Sequence, residues 1–226
     1  MAIRPVFVVR EKSPYVEKED VEFNFFPGFS EEQKRKSIGS LHDSWIKYNA
    51  NKRVLEVSTK SKEEIGRKLS AFNLISSYDG NRPIVLENDF QSSKVFRDGG
   101  PFEDLRLLSP REAKKDPRLS TSGPLIEFIN DGIVFPLIPA SFFYDWLYVN
   151  AVYNNRNLLS KASEYDAFTD IEFNPNRSIN CQAHSLAIAV GLFKSGKIEK
   201  ALSSPMCFKE YVYLENKCIQ GELALF

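Results

Sequence analysis

Proline and glycine limit the length of every element this chain can build. Twelve prolines and eleven glycines are spread along 226 residues, with no repeat and no low-complexity tract between them. Proline fixes φ and removes a backbone donor, and glycine loses the most conformational freedom on ordering, so long helices and wide sheets are interrupted. The expectation is one compact domain of short elements joined by many loops. A chain of this size buries roughly 70% of the surface its unfolded form exposes, so no disulfide or metal staple is required.

Composition removes several function classes. No apolar run approaches the ~18–20 residues of a membrane span, and Met1-Ala-Ile-Arg-Pro5 lacks the pattern of a signal peptide, so no membrane association is expected. The cysteines (Cys181, Cys207 and Cys218) are odd in number and lack CxxC spacing. They point to a reducing, cytoplasmic setting with thiols as packing residues. Two histidines, His42 and His184, supply no His-rich zinc site, and neither a metal nor a cofactor is expected. Thirty Lys and Arg balance thirty Asp and Glu, which argues against a broad polycationic grip on nucleic acid and leaves room for a local patch. Walker, GxGxxG and GxSxG motifs are absent from the sequence.

The local pattern predicts an α+β fold, mostly helical, with short strands and hairpins. Pro5–Val9 and Val21–Phe26 read as strands. Ser30-Glu-Glu-Gln33 has the form of a capping box before a helix over 31–49, whose Ile38, Leu41, Trp45 and Tyr48 recur at helical spacing. Val54–Ser58 reads as a strand, and Ser61-Lys-Glu-Glu64 as the cap of a helix burying Ile65, Leu69 and Phe72. Ser109-Pro-Arg-Glu112 combines an N-cap, proline at N1 and glutamate at N3. Asp131-Gly132 predicts a hairpin between Pro124–Asn130 and Ile133–Ile138. Residues 139–153 and 180–193 carry broad apolar helical faces, Ala167–Phe173 alternates as a strand, and Tyr211–Leu214 with Ile219–Phe226 form a closing hairpin.

Two constellations suit chemistry. If 87–94 is helical, Glu87, Gln91 and Lys94 fall within about 60° of arc, with Phe90 beside them. A carboxylate, an amide, an ammonium and a ring on one face suit a polar ligand, although the same spacing describes a solvated face with a Glu–Lys pair. On a strand, Asp170 and Glu172 share a face about 6.6 Å apart, a separation that carboxylates use in glycosidic chemistry. A strand with a polar outer face has the same pattern. The helix start at Ser109–Glu112, with Arg111, could seat an anion, though most such boxes are only caps. Trp146 and His184 read more readily as core residues than as a base platform or a catalyst.

These same segments carry a resemblance. Leu69-Ser-Ala-Phe-Asn-Leu74 resembles the Leu-Ser-Asn-Phe signature of the NADAR family, named for its association with NAD and ADP-ribose chemistry. Glu87-Asn-Asp-Phe-Gln-Ser-Ser-Lys94 resembles its Glu-His-x-x-Gln-Ala-x-Lys helix, with Asn88 in place of the histidine. Ser109-Pro-Arg-Glu-Ala113, Asp145-Trp146 and Asn180-x-x-Ala are similar to three further family segments in the same order, although the Trp-Gly expected after the Asp/Glu strand is absent. These matches cover about residues 54–194. Over the whole chain, Phe25-Phe-Pro-Gly28 and Ala167–Pro175 resemble the NADAR antitoxins paired with DarT toxins. Those toxins attach ADP-ribose to the guanine amino group in DNA, and the antitoxins hydrolyse it off.

The resemblance implies residues 1–53 as an N-terminal strand and helix extension packed on a catalytic core at 54–226. It implies Glu87, Lys94, Asp170 and Glu172 as catalytic residues. Ser70, Phe72, Asn73, Gln91, Arg111, Trp146 and Asn180 are implied to bind ADP-ribose. The implied function is that of an antitoxin ADP-ribosyl hydrolase acting on DNA guanine, functionally paired with a DarT-type toxin. A small-molecule N-glycosidase acting on a phosphorylated sugar–base compound, or a non-catalytic antitoxin that binds its toxin, are the alternatives. The N-terminal aromatic segment and amphipathic helix favour a macromolecular substrate or partner over a metabolite.

Overall fold

In the computed structural model, which describes residues 1–176 and 178–214, the N-terminus builds the edge of the main sheet. Strands β1 (Ala2–Val9) and β2 (Val16–Phe23) pair antiparallel from Ala2 opposite Phe23 to Val9 opposite Val16. Helix α1 (Glu31–Ile46) begins at Ser30, whose hydroxyl accepts the Gln33 N–H. Its Ile38, Leu41 and Trp45 bury against Val6, Val8 and Phe23, which is why the stripe read from sequence is helical here.

The chain continues through β3 (Val54–Glu56), α2 (Glu64–Lys68), β4 (Ile75–Asp79), β5 (Arg82–Val85), α3 (Leu86–Ser92) and β6 (Lys94–Phe96). After a 3-10 turn at Glu103–Leu107 come α4 (Pro110–Lys115), α5 (Arg118–Thr121), β7 (Leu125–Asn130) and β8 (Ile133–Phe135). Then follow α6 (Phe142–Asn154), α7 (Arg156–Ala162), β9 (Ala167–Thr169), α8 (Gln182–Lys194), α9 (Ile198–Ala201) and α10 (Pro205–Lys209). The main sheet has the order β2-β1-β9-β3, with β9 antiparallel to β1 and parallel to β3. Residues 2–23 therefore share one sheet with 54–56 and 167–169. Strands β4 and β5 form a separate hairpin, and β6-β7-β8 a third sheet, whose β7–β8 turn is Asp131-Gly132 with both φ positive. The fold is α+β.

Helices α6 and α8 form the centre of the larger core. Leu147, Tyr148, Val149, Ala151 and Val152 of α6, and Leu186 through Val190 of α8, are buried there. One carboxylate is buried with them. Asp145 on α6 accepts hydrogen bonds from Ser185 Oγ (2.5 Å) and Tyr213 OH (2.6 Å), and His184 Nδ1 lies 3.4 Å away. Burial raises the Asp145 pKa, but the His184 charge and the hydrogen bonds from His184, Ser185 and Tyr213 outweigh it and hold the group below its ordinary value. His184 is thereby raised against the opposing effect of its own burial. The cluster ties α6, α8 and the last described turn together, with His184 engaged by Asp145 within it.

Several expectations fail locally. The β2 strand begins at Val16 rather than Val21, and Phe25 and Phe26 lie beyond it in a loop. The N-cap of α2 is Glu63, not Ser61, because the Ser61 hydroxyl accepts the Glu63 N–H two residues before the helix begins. Tyr211–Leu214 is not a strand: it is a helical turn continuing α10, with Tyr213 drawn inward to Asp145. A four-residue apolar run does not distinguish the two states by pattern. The partner strand expected at Ile219–Phe226, and Cys218, lie outside the described residues. Cys181 and Cys207 are free thiols.

Candidate active site

A cleft of about 790 Å³ opens where β3 and β9 end. Its floor comes from the loop after β9 (Asp170 to Asn180), its walls from Ser70–Phe72, Glu87 on α3 and Arg111 with Lys114 on α4. Arg4, Phe25 and Lys34 supply the N-terminal rim. A broader hollow of about 900 Å³ runs along the outer face of α1. It is shallow and solvated, and its Glu31–Arg35 and Glu32–Lys36 pairs are ordinary i,i+4 contacts. The carboxylates buried beside the first cleft make it the candidate site.

Two backbone bonds aim Glu87 into the cleft. Leu86 N donates to Leu74 O, and Glu87 N to Ala71 O, so the start of α3 is fastened to the turn that follows α2. Glu87 is buried, and its Oε1 accepts from Gln91 Nε2 at 2.8 Å, with Lys114 Nζ at 3.4 Å. Gln91 Oε1 in turn accepts from Lys94 Nζ at 2.6 Å. Lys94, over the Phe90 ring, is pushed down to about 8 by burial, with Glu87 opposing and Lys114 adding to the fall. Hydrogen bonds link Glu87, Gln91 and Lys94 into a relay, but the three do not share the single helical stripe expected from sequence. Helix α3 stops at Ser92, where the Ser92 and Ser93 hydroxyls bond back to Asp89 O, and Lys94 opens β6. Lys94 consequently sits behind Gln91 and meets the cleft through Gln91 and Glu87.

On the floor, the expected strand over Ala167–Phe173 ends at Thr169. The Asp170 carboxylate accepts the Glu172 N–H (3.0 Å) in a side-chain turn, and Ile171 N is diverted to Glu56. Asp170 and Glu172 are therefore not alternate residues on a strand face. Both still line the cleft, Glu172 at its exposed edge in a 3.0 Å ion pair with Lys34. Gln182 Oε1 accepts the Ala71 N–H at 2.7 Å and its side chain also bonds Asp170, joining floor to wall.

Beneath Asp170 lies a group the sequence reading missed. Glu56, on β3, accepts from Ser58 Oγ (2.6 Å), Thr169 Oγ1 (2.6 Å) and Ile171 N (2.9 Å), and His42 Nε2 reaches Thr169 Oγ1 at 2.8 Å. Burial, and then the Asp170 charge, push Glu56 well above the usual carboxylate range. Burial likewise raises Asp170. The two share a deficit of solvation and hold protons to higher pH than free carboxylates. His42 is pushed down to about 4 by burial, and by Lys62, so it is neutral. Gly66 lets α2 pack closely on β3 here: a Cβ there would lie 2.1 Å from the Glu56 backbone O. The available signal was an acidic residue inside the apolar run Val54-Leu-Glu-Val57.

Of the residues singled out from sequence, Ser70, Phe72, Glu87, Arg111, Asp170, Glu172 and Asn180 line one cleft. Gln91 and Lys94 stand behind it. Asn180 Oδ1 is buried without a hydrogen-bond partner, as is Arg4 Nε. Two residues lie elsewhere. Trp146 packs on Phe135 and Phe208, because α6 turns that face to the core. Asn73 is exposed and donates to Arg67 O, closing the turn after α2. The anion seat at α4 is closed by its own capping box: the Glu112 carboxylate takes the Ser109 N–H, and Ser109 Oγ the Glu112 N–H. Arg111 keeps its place on the cleft wall without it.

The fold and cleft define a small α+β domain with a polar cleft of clustered carboxylates ringed by cations. A family model described as DarT1-associated NADAR antitoxin matches residues 2–220, and the chain belongs to that family. It is thus an antitoxin of the NADAR type, associated with a DarT toxin. No curated protein matches the chain. Among the described residues, no helix is long and apolar enough to cross a membrane, and no group of three His, Cys, Asp or Glu is arranged to hold a metal ion.

Proposed function

We propose that this antitoxin hydrolyses the N-glycosidic bond joining ADP-ribose to guanine in DNA, and so reverses the modification made by its toxin. The observation that carries the reading is the relay Lys94–Gln91–Glu87 reaching a cleft that also holds the proton-retaining Asp170. The bond that breaks joins the guanine amino nitrogen to the ribose C1″. Water adds its hydroxyl to C1″ and the nitrogen departs with a proton as the free amine. The transition state carries positive charge on the ribose ring, which buried carboxylates stabilise. Glu87 is the group placed to do this, and Asp170, raised by burial, supplies or receives the proton.

Lys94 suggests a second chemical route to the same products, one that requires the Gln91 amide to move aside because Lys94 stands behind it. Its lowered pKa leaves a substantial neutral fraction near pH 8. Ring opening leaves C1″ as an imine to the guanine nitrogen, a neutral amine adds there, and the guanine amine departs with a proton. Water then cleaves the amine's own imine to free ADP-ribose. Borohydride trapping on modified DNA, followed by peptide mapping, distinguishes the routes. An adduct on Lys94 supports the imine, one on Lys34, Lys60 or Lys114 moves it, and none favours direct attack by water.

The deciding test uses oligonucleotides carrying ADP-ribose on one guanine or on one thymidine. Guanine leaves through an exocyclic amine, thymine through a ring nitrogen flanked by carbonyls, and one preorganised pocket discriminates strongly between them. Release of free ADP-ribose from the guanine substrate alone is expected, with shallow salt dependence because net charge is zero. Cleavage of neither substrate overturns the reading.

A further inference from the structure

The loop Asn24–Ser30 exposes three phenylalanines, and the first of them, Phe25, lines the cleft. Phe29 is fully exposed, Phe25 and Phe26 substantially so, in a segment with little other apolar surface. Such rings ordinarily turn inward unless the backbone prevents it. Here the backbone is pinned. Asn24 N donates to Ser40 Oγ (3.0 Å), Phe26 N donates to Ser37 Oγ (2.9 Å), and that hydroxyl returns a bond to Phe26 O. Four residues beyond Phe26, Ser30 caps α1, so the loop is tied to one helix at both ends. The rings are thus held outward on a fixed frame.

Their position gives the surface a use. Phe25 lines the same cleft as Glu87 and Asp170, and Phe26 lines the adjoining hollow along α1. The loop is the ridge between the two. Arg4 and Lys34, the latter paired with Glu172, stand on the cleft side of it, and Arg35, paired with Glu31, and Lys62 on the other. Aromatic faces interleaved with cations are the combination that holds single-stranded nucleic acid, since every base has a face to stack and every nucleotide a phosphate to pair. We propose that Phe25, Phe26 and Phe29 form a stacking platform for the unpaired bases flanking the modified guanine, and direct the strand over the ridge while ADP-ribose occupies the cleft. Stacking is indifferent to sequence, so the platform selects a single strand over a free nucleoside without demanding a particular neighbour.

The proposal rests on the DNA-hydrolase reading, and the experiment separates the two. Wild type and Phe29→Ala are compared on ADP-ribosylated guanosine monophosphate and on the same adduct within a single strand of about ten nucleotides. Phe29 is fully exposed, so its removal leaves no cavity. The expected result is a roughly tenfold loss of kcat/KM on the strand, the scale of one lost base stack, with none on the mononucleotide. Phe29→Trp should retain the strand preference. Equal strand cleavage by wild type and Phe29→Ala overturns the platform. If wild type cleaves neither substrate, the hydrolase reading has failed. The platform is then judged by fluorescence anisotropy with the unmodified strand, where a roughly tenfold weaker Kd for Phe29→Ala supports it and an unchanged Kd overturns it. Loss of toxin co-purification by Phe29→Ala, with strand handling intact, assigns the surface to a protein partner and also overturns it.

Discussion

Replacement of Glu56 tests the buried floor of the cleft most directly. Glu56 is 2% exposed and accepts three hydrogen bonds. In Glu56→Ala the Ile171 N–H loses its acceptor and two hydroxyls must turn elsewhere. A stranded buried donor costs about 2 kcal/mol and each lost hydroxyl bond about 0.5–1 kcal/mol, so the sum is about 3–4 kcal/mol. For a domain of this size that lowers Tm by about 10 °C. Glu56→Gln keeps an oxygen for Ser58 and Ile171 and presents an amide to Thr169, which then donates to neutral His42. Its cost is about 1 kcal/mol.

The pH dependence supplies the sharper test. Because the folded-state pKa of Glu56 is raised above 4.5, its contribution to stability is full below that value and is lost as pH climbs through the raised one. Asp170, raised from 3.8, has the same sign. His42, lowered from 6.5 to about 4, has the opposite sign: the fold gains as pH rises from about 4 to 6.5. The difference between wild type and Glu56→Gln subtracts most of these shared contributions, although Asp170 couples to the substituted site by its charge and His42 through Thr169. Calorimetric melts at about pH 5.5 and about pH 8.5 should show wild type losing ground to Glu56→Gln at the higher pH. A gap that does not change with pH, or an alanine variant as stable as the glutamine one, refutes the reasoning.

The other expectations follow from the relay and the core. Lys94→Ala should retain its circular dichroism spectrum and lose turnover by roughly 10²–10⁴-fold, and near-wild-type turnover removes Lys94 from the mechanism. If the neutral amine attacks, the wild-type single-turnover rate should rise with pH and level off above about 8, and a flat profile counts against the imine. Glu87→Gln should lower kcat more than it weakens ADP-ribose binding measured by calorimetry, whereas equal losses make Glu87 a uniform binding residue. Asp145→Ala breaks a buried pair worth about 3–5 kcal/mol and should lower Tm by about 10 °C or more. Asp145, held below 3.8, stabilises above that value and loses its effect on acidification. His184, raised above 6.5, loses its effect on alkalinisation, so the pair contributes most between those values. Turnover should persist in excess EDTA, and loss restored by one divalent ion would show a metal requirement.

What the chain determines by itself is largely local. Ser30 and Ser109 start helices because a hydroxyl meets the free N–H groups of the next turn, and Asp131-Gly132 turns a hairpin because both residues tolerate positive φ. The burial of Ile38, Leu41 and Trp45 follows from a period that survives into the folded state. Glu87 and Gln91 were legible for the same reason, being four residues apart on one helix. The tertiary structure decided where such patterns stop. Lys94 joins Gln91 although it lies on a strand, because β7 receives the chain directly after Ser93. Asp170 leaves the strand period because Glu56, far away in sequence, takes the Ile171 N–H. Glu56 shows in sequence only as an acidic residue inside an apolar run, and its altered protonation comes from burial and from the Asp170 charge, both set by the fold. Trp146 shows the converse: its sequence neighbours match a family segment, yet the rotation of α6 sends its ring into the core. Hydrogen bonds between neighbours in sequence depend on spacing alone. Desolvation and charge coupling depend on which distant segments close over a group, and only the assembled fold specifies that.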